Sequence, residues 1–228
     1  MASGRSMKLH WSPRSPFVRK VMIVLHEKGL VDRVELVRSV VMLAAPPNPD
    51  VLADNPLGKI PTLVLDDGTA LFDSRVISEY LDGLTSEPPL LPAEPMARAV
   101  CLRRQAFGDG LCDILLLWRT EVTRGDAANP AISASFEAKV RASLARLEKE
   151  ANDLGAEAFS LGHAAIVCAL GQLEFRYPTC GWREAHPALA AWYDGACRRP
   201  SVAATAIEDD GAAAMGAVHM PLDFREAA

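Results

Sequence analysis

Hydrophobic positions change their period more than once along this chain. Met7, Leu9 and Trp11 alternate with Lys8 and His10, the two-residue repeat of a strand with one buried face. From Phe17 the spacing lengthens: Val21, Val24 and Leu25 follow at four, seven and eight residues, a helical stripe that Gly29 stops. The β-branched run RVELV at 33–37 predicts a second strand, and PTLVLDDGTALF predicts a hairpin turning at Asp67-Gly68. Val76, Ile77, Tyr80, Leu81 and Leu84 then restore the helical period. The order is βαβ, a stretch over 39–53 without clear period, then ββα.

Four prolines in TSEPPLLPAEP, residues 85–95, separate this half from a different kind of sequence. Beyond them strand patterns vanish, and helical stretches cover about 96–124, 133–154, 161–176 and 187–198, which predicts a helical bundle. The expected division is an extension over 1–6, a mixed α/β domain over 7–84, the linker, an all-α domain over 96–206 and a tail over 207–228 without periodicity. Trp182, Trp192 and Tyr193 read as core of the second half.

Composition narrows the function classes. The chain has 228 residues and a formal charge of −5, spread nearly evenly over both halves, so no basic face points to nucleic acid or anionic lipid. Its densest apolar run, ILLLW at 114–118, is far too short to span a bilayer, and nothing at the N-terminus has the pattern of a secretory signal. The five cysteines, at 101, 112, 168, 180 and 197, have neither CxxC nor zinc spacing, so free thiols, a reducing cytoplasm and no metal are expected.

Three short stretches carry chemistry. In SPRSPFVRK, Pro16 suits the first position of a helix and makes Ser15 its N-cap. In NPLGKIPTLV, Pro61 opens a strand, either as ordinary edge sequence or as a cis bond in a tight turn exposing the Ile60 backbone. In DSRVISEYL, Asp73 and Ser74 start a helix whose free N–H groups suit a carboxylate, while Asp73 suits an ammonium. Together the last pair match an α-amino acid head group.

These stretches, in this order over βαβ and ββα elements, resemble the glutathione S-transferase superfamily, in particular its serine-type classes such as tau and zeta. FSLGHAAIVCAL and HPALAAWYDGACRRPSVAAT resemble that family's helical-domain core and closing helices, so the likeness spans nearly the whole chain. The resemblance implies a thioredoxin-like domain that binds glutathione, followed by an α-helical bundle lining the pocket for a hydrophobic electrophile, in a homodimer. On the family pattern Ser15, with Ser12 as rival, donates to the glutathione sulfur. Ile60 pairs with the cysteinyl unit beside cis-Pro61, Asp73 and Ser74 hold the γ-glutamyl group, and Lys59 meets the glycyl carboxylate with Arg14 and Arg38 as helpers. Trp11, Phe17, Gln105, Asp109, Cys112 and Asp113 are the expected pocket residues.

Two features of the sequence qualify the resemblance. No cysteine precedes Cys101, so the first half has no thiolate for disulfide exchange, and the chemistry falls to the thiol of glutathione. Where the family has Ser-x-x-Asp as a capping box, this chain has Ser160, Leu161, Gly162 and His163, a departure that predicts a weakened helix start. A glutathione-binding carrier without catalysis is the competing reading of the same fold.

Overall fold

The computed structural model describes residues 7–43, 45–211 and 222–225. Its first half runs β1 (Met7–Trp11), α1 (Pro16–Glu27), β2 (Val34–Arg38), α2 (Pro49–Asp54), β3 (Thr62–Val64), β4 (Ala70–Leu71) and α3 (Ser74–Gly83). The strands form one sheet in the order β2-β1-β3-β4, with β1 parallel to β2 and antiparallel to β3. Leu9 lies opposite Leu36 on one side and Leu63 on the other, which centres β1 in the sheet. This is a thioredoxin-like arrangement, and an all-α bundle follows: α4 (Pro95–Val122), α5 (Pro130–Ala156), α6 (Leu161–Arg176), α7 (Trp182–Ala185), α8 (Pro187–Cys197) and α9 (Pro200–Ala203).

Proline sets most of the helix starts. Pro16, Pro49, Pro95, Pro130, Pro187 and Pro200 each stand at the first position, where a missing N–H costs nothing and φ is already helical. Asn48 caps α2, accepting from the backbone N–H of Asp50 and Val51 at 3.0 and 3.3 Å, in the stretch whose hydrophobic period is unclear. Pro56 and Gly58 then carry the chain to β3.

Two cores meet at α1. Val18, Val21, Val24 and Leu25 pack with Leu9, Leu63, Ile77 and Leu81 beneath the sheet. Ile23, from the same helix, belongs to the second core with Leu111, Leu115, Trp118, Leu144, Leu170 and Tyr193. Polar residues of α1 are therefore buried between the domains as well: Arg19 is 7% and Lys20 0% exposed. Lys20 Nζ donates to both carboxylate oxygens of Asp109 at 2.7 Å, and an Arg19 Nη reaches the Val202 carbonyl at 3.4 Å. α4 and α6 cross so closely that a Cβ at Gly108 would lie 2.5 Å from the Ala165 backbone.

The interdomain linker is pinned. Lys28 Nζ donates to Asp82 and to the carbonyls of Thr85 and Pro88, and Asp82 accepts from the backbone of Leu90 and Leu91. At the head of α6 Ser160 makes no side-chain hydrogen bond to the helix backbone, as the departure from the capping box leads one to expect, and its hydroxyl turns to His163 instead. His163, 2% exposed, accepts or donates at Nδ1 with Ser160 Oγ at 2.7 Å, and its Nε2 meets the Leu154 carbonyl at 3.1 Å. A carbonyl oxygen only accepts, so Nε2 carries the proton and Nδ1 accepts from the serine hydroxyl. The imidazole thus joins the end of α5 to the start of α6.

Candidate active site

Ser15 takes the capping role that the sequence predicts for it. Its Oγ accepts from the Val18 backbone N–H at 3.3 Å, capping α1 through a lone pair. That bond leaves the hydroxyl proton available and polarises it toward an outside acceptor. Ser12 is the more enclosed at 8% exposure, and its Oγ accepts from the Arg14 backbone N–H at 3.4 Å. Its carbonyl accepts from the Ser15 N–H at 3.3 Å, so both hydroxyls belong to one turn.

The 55–61 loop is fixed from within. Asn55 Nδ2 donates to the Lys59 carbonyl and to Thr62 Oγ1, and Thr62 Oγ1 donates to the same carbonyl. Lys59 is left exposed, Ile60 half-buried, and the Ile60-Pro61 peptide bond is cis. Beneath this loop His10 Nδ1 meets Ser39 Oγ at 2.9 Å and Nε2 meets Asp54 Oδ2 at 2.7 Å, while Lys8 pairs with the same oxygen. The order of groups is that of a hydrolytic triad, but Ser39 is 2% exposed, and the trio ties α2 to the sheet.

Asp73 caps α3 by accepting from the Arg75 N–H at 2.9 Å, and its carboxylate stays exposed. Ser74 lies buried at the first helical position. Arg75 Nε stands 3.5 Å from both Asp73 and Asp109, linking the cap to the buried Lys20 pair. Asp113, on α4, faces the same group. Burial pushes its carboxyl pKa up and Asp109 and Asp73 push it further, against the pull of Lys59 and Arg75.

The pocket expectations divide. Trp11 and Phe17 are half-buried, Trp11 against the first core and Phe17 against the second. Cys112 is 1% exposed within the second core, and burial raises its thiol pKa well above the ordinary range. Asp109 is committed to Lys20, and Gln105 is 2% exposed with its Nε2 unpaired among the described residues. Arg14 and Arg38 face the chain itself: Arg14 pairs with Asp209 at 2.5 Å and Asp210 at 2.8 Å, and Arg38 Nε donates to Asp210 at 2.7 Å. The 207–211 stretch has no regular element, and its Asp209 and Asp210 tie it to the Ser12–Ser15 turn through Arg14. The remainder of the predicted tail, 212–221 and 226–228, lies outside the described residues.

The sequence reading misses Arg119 and Arg176, in the last turns of α4 and α6. Both are under 9% exposed, and burial lowers the pKa of each. A 460 Å³ groove along Glu174, Thr179, Trp182, Arg183 and Arg225 shares no residue with this site. Among the described residues no group of His, Cys, Asp or Glu is arranged to hold a metal, and no helix is long and apolar enough to cross a membrane.

Residues 14–84 match the family described as Glutathione S-transferase, N-terminal domain, and residues 120–195 match Glutathione S-transferase, C-terminal domain. The GST-like protein YibF of Escherichia coli strain K12 is 35% identical over 209 residues, 87% of this chain and 98% of YibF. A glutathione transferase family member from Pseudomonas fluorescens Pf-5, with bound glutathione, superposes with a TM-score of 0.85 at 41% identity, covering 90% of this chain and all of that one. The Pf-5 family member with bound S-(propanoic acid)-glutathione gives a TM-score of 0.81 at 40% identity, covering 89% of this chain and all of that one.

Proposed function

Since the chain belongs to the glutathione S-transferase family, we propose that it binds glutathione in the first domain and transfers the glutathionyl sulfur to a soft electrophilic carbon. The observation that carries this reading is the Ser15 hydroxyl, which caps α1 with its oxygen and keeps its proton for an outside acceptor. Ile60 beside cis-Pro61, Lys59, and the α3 start at Asp73 and Ser74 supply the expected groups for the cysteinyl, glycyl and γ-glutamyl parts.

The energetics require no strong base. A thiol of pKa about 8.5 is roughly 3% thiolate at pH 7, and lowering that value by ~2 units takes about 2.7 kcal/mol of preferential stabilisation. One hydrogen bond to a charged acceptor contributes about 1.5–3 kcal/mol, and a helix N-terminus up to about 2 kcal/mol. The Ser15 donor at the head of α1 combines both. The thiol proton leaves to solvent, the sulfur forms a C–S bond, and the electron pair departs with a leaving group or moves to the adjacent carbon, which takes a proton from water.

The Pf-5 relative that holds a glutathione conjugate supports transfer over simple carriage. Turnover with glutathione against aryl halide, epoxide, enal, aryl ether and peroxide substrates tests the reading. Ser15→Ala is expected to lower kcat about 10–100-fold, with a much smaller change in glutathione affinity. If Ser12→Ala produces that loss and Ser15→Ala does not, the donor is Ser12. Glutathione binding without turnover of any substrate would make the protein a carrier.

A further inference from the structure

α2 has little apolar anchorage. It is six residues long and buries only Val51, less than so short a helix needs to stay in place by packing. Yet the loop that follows it carries Lys59, Ile60 and cis-Pro61. What holds α2 is a polar cluster on β1, the central strand of the sheet. Lys8 and His10 lie on one face of that strand, and both reach Asp54 Oδ2, at the last residue of α2, at 2.6 and 2.7 Å. His10 is 1% exposed, and burying an imidazole costs free energy unless its nitrogens are partnered. Both are. Hydrogen bonds from Lys8 and His10 hold the Asp54 carboxyl below the ordinary carboxylate range, so Asp54 accepts and Nε2 carries a proton. On the other side Nδ1 meets Ser39 Oγ at 2.9 Å, and Ser39 is fixed to the sheet by its own N–H, which donates to the Trp11 carbonyl at 2.8 Å.

From Asp54 the path to the loop is one residue long. Asn55 Nδ2 donates to the Lys59 carbonyl at 3.1 Å and to Thr62 Oγ1 at 3.0 Å, and its Oδ1 accepts from the Leu57 N–H at 3.0 Å. Thr62, whose hydroxyl donates to the same Lys59 carbonyl at 2.9 Å, is the register partner of His10 across β1 and β3. Both ends of the loop therefore return to His10, through Asp54 at one end and through Thr62 at the other. We propose that His10, braced by Lys8, Ser39 and Asp54, is a positioning residue for glutathione: it fixes where the 55–61 loop presents Lys59 and the Ile60 backbone, and so sets glutathione affinity without entering the sulfur chemistry. The inference rests on the transferase reading and extends it to residues beneath the loop. Ser39, at 2% exposure, is enclosed as an anchor, and Lys8 shares the oxygen that a hydrolytic relay would keep for its histidine alone.

Calorimetric titration of the wild-type protein with glutathione comes first; if glutathione does not bind, the transferase reading falls and this inference falls with it. If it binds, His10→Ala and Asp54→Ala are each expected to weaken glutathione binding about 10-fold or more, a comparison that needs no turnover. In turnover the glutathione KM is expected to rise to match, while kcat at saturating glutathione stays within about twofold, because Ser15 is held by α1 and not by the loop. His10→Gln, whose amide N–H can stand where Nε2 does, is expected to recover most of the affinity, and His10→Leu, which only fills space, is not. Unchanged affinity in folded His10→Ala and Asp54→Ala, a loss carried by kcat with KM unchanged, or His10→Leu binding as well as His10→Gln overturns the positioning role while leaving the transferase reading intact. A wild-type measurement decides the matter if these variants do not fold. Coupling is reciprocal, so bound glutathione must tighten the cluster that places its loop, and the His10 ring N–H, followed by NMR, is expected to exchange with solvent at least about 3-fold more slowly in the complex. Unchanged exchange at saturating glutathione overturns the proposal.

Discussion

Replacing His163 isolates the contact that joins α5 to α6. In His163→Ala the Leu154 carbonyl and the Ser160 hydroxyl both lose their buried partner. A buried polar group left unsatisfied costs about 1–3 kcal/mol, and the serine can rotate to a new acceptor, so the pair amounts to about 2–4 kcal/mol. Lost ring contacts with Phe159 and Trp192, at centroid distances of 5.8 and 6.1 Å, add to this. For a chain of this size each kcal/mol moves the unfolding midpoint by about 2–4 °C, which gives an expected drop of about 5–15 °C. Calorimetric or circular-dichroism melts measure it. His163→Asp is the sharper control. A carboxylate at this position completes the Ser-x-x-Asp pattern but sets an acceptor against the Leu154 carbonyl, so its midpoint is also expected to fall. A rise would show that the cap, and not the bridge, governs this joint. The pH dependence follows from the same burial, which holds the His163 pKa below its usual 6.5. The native protein resists protonation where the unfolded chain accepts it, so this stability is complete above about pH 6.5 and declines as pH falls below it. His163→Ala flattens that decline, leaving the part due to His186, whose pKa burial also lowers.

Two further outcomes are expected. Asp109→Asn leaves the Lys20 ammonium buried without its counter-ion and lowers stability by about 3–5 kcal/mol, while Lys20→Met with Asp109→Leu costs much less than the sum of the single changes; additive losses in chemical denaturation would refute the coupling. Val76 on α3 and Met96 on α4 are 48% and 69% exposed near the Glu79–Arg98 bridge, a face suited to a second copy of this chain. Sedimentation at micromolar concentration is expected to give a dimer that Met96→Glu weakens, and a wild-type monomer would refute it.

What the sequence discloses depends on how local each cause is. The strand of Met7–Trp11 and the α1 stripe follow from periodicity, and Ser15-Pro16 marks its helix start through chemistry confined to two residues. α2 escapes a hydrophobic-period search because only Val51 among its residues is buried, yet Asn48-Pro49-Asp50 is the same cap-and-proline signal found elsewhere in the chain. The burial of Lys20 is not legible in the sequence, because the surface it faces is contributed by a helix some ninety residues later. Cys112 looked like a pocket residue for the complementary reason: spacing along α4 defines a face, but not whether that face meets the cleft or α6. Arg119 and Arg176 each have a sufficient local explanation as helix-terminal cations, and only their burial sets that explanation aside.

The burial of α1 between two cores bears on how this protein can diverge. A chain in two halves invites the idea of exchangeable modules, a constant sulfur-activating half joined to variable acceptor halves. α1 denies that freedom, because it carries the capping Ser15 at its head, Ile23 inside the neighbouring core and Lys20 against Asp109. A second half drawn from a relative would have to bring an acid to the position of Asp109, a gap like that at Gly171 for the Arg19 guanidinium, and an apolar surface for Ile23. Change in acceptor preference is therefore freer at the periphery, in the helix ends and the closing segment, than at the seam, where residues of both halves must change together.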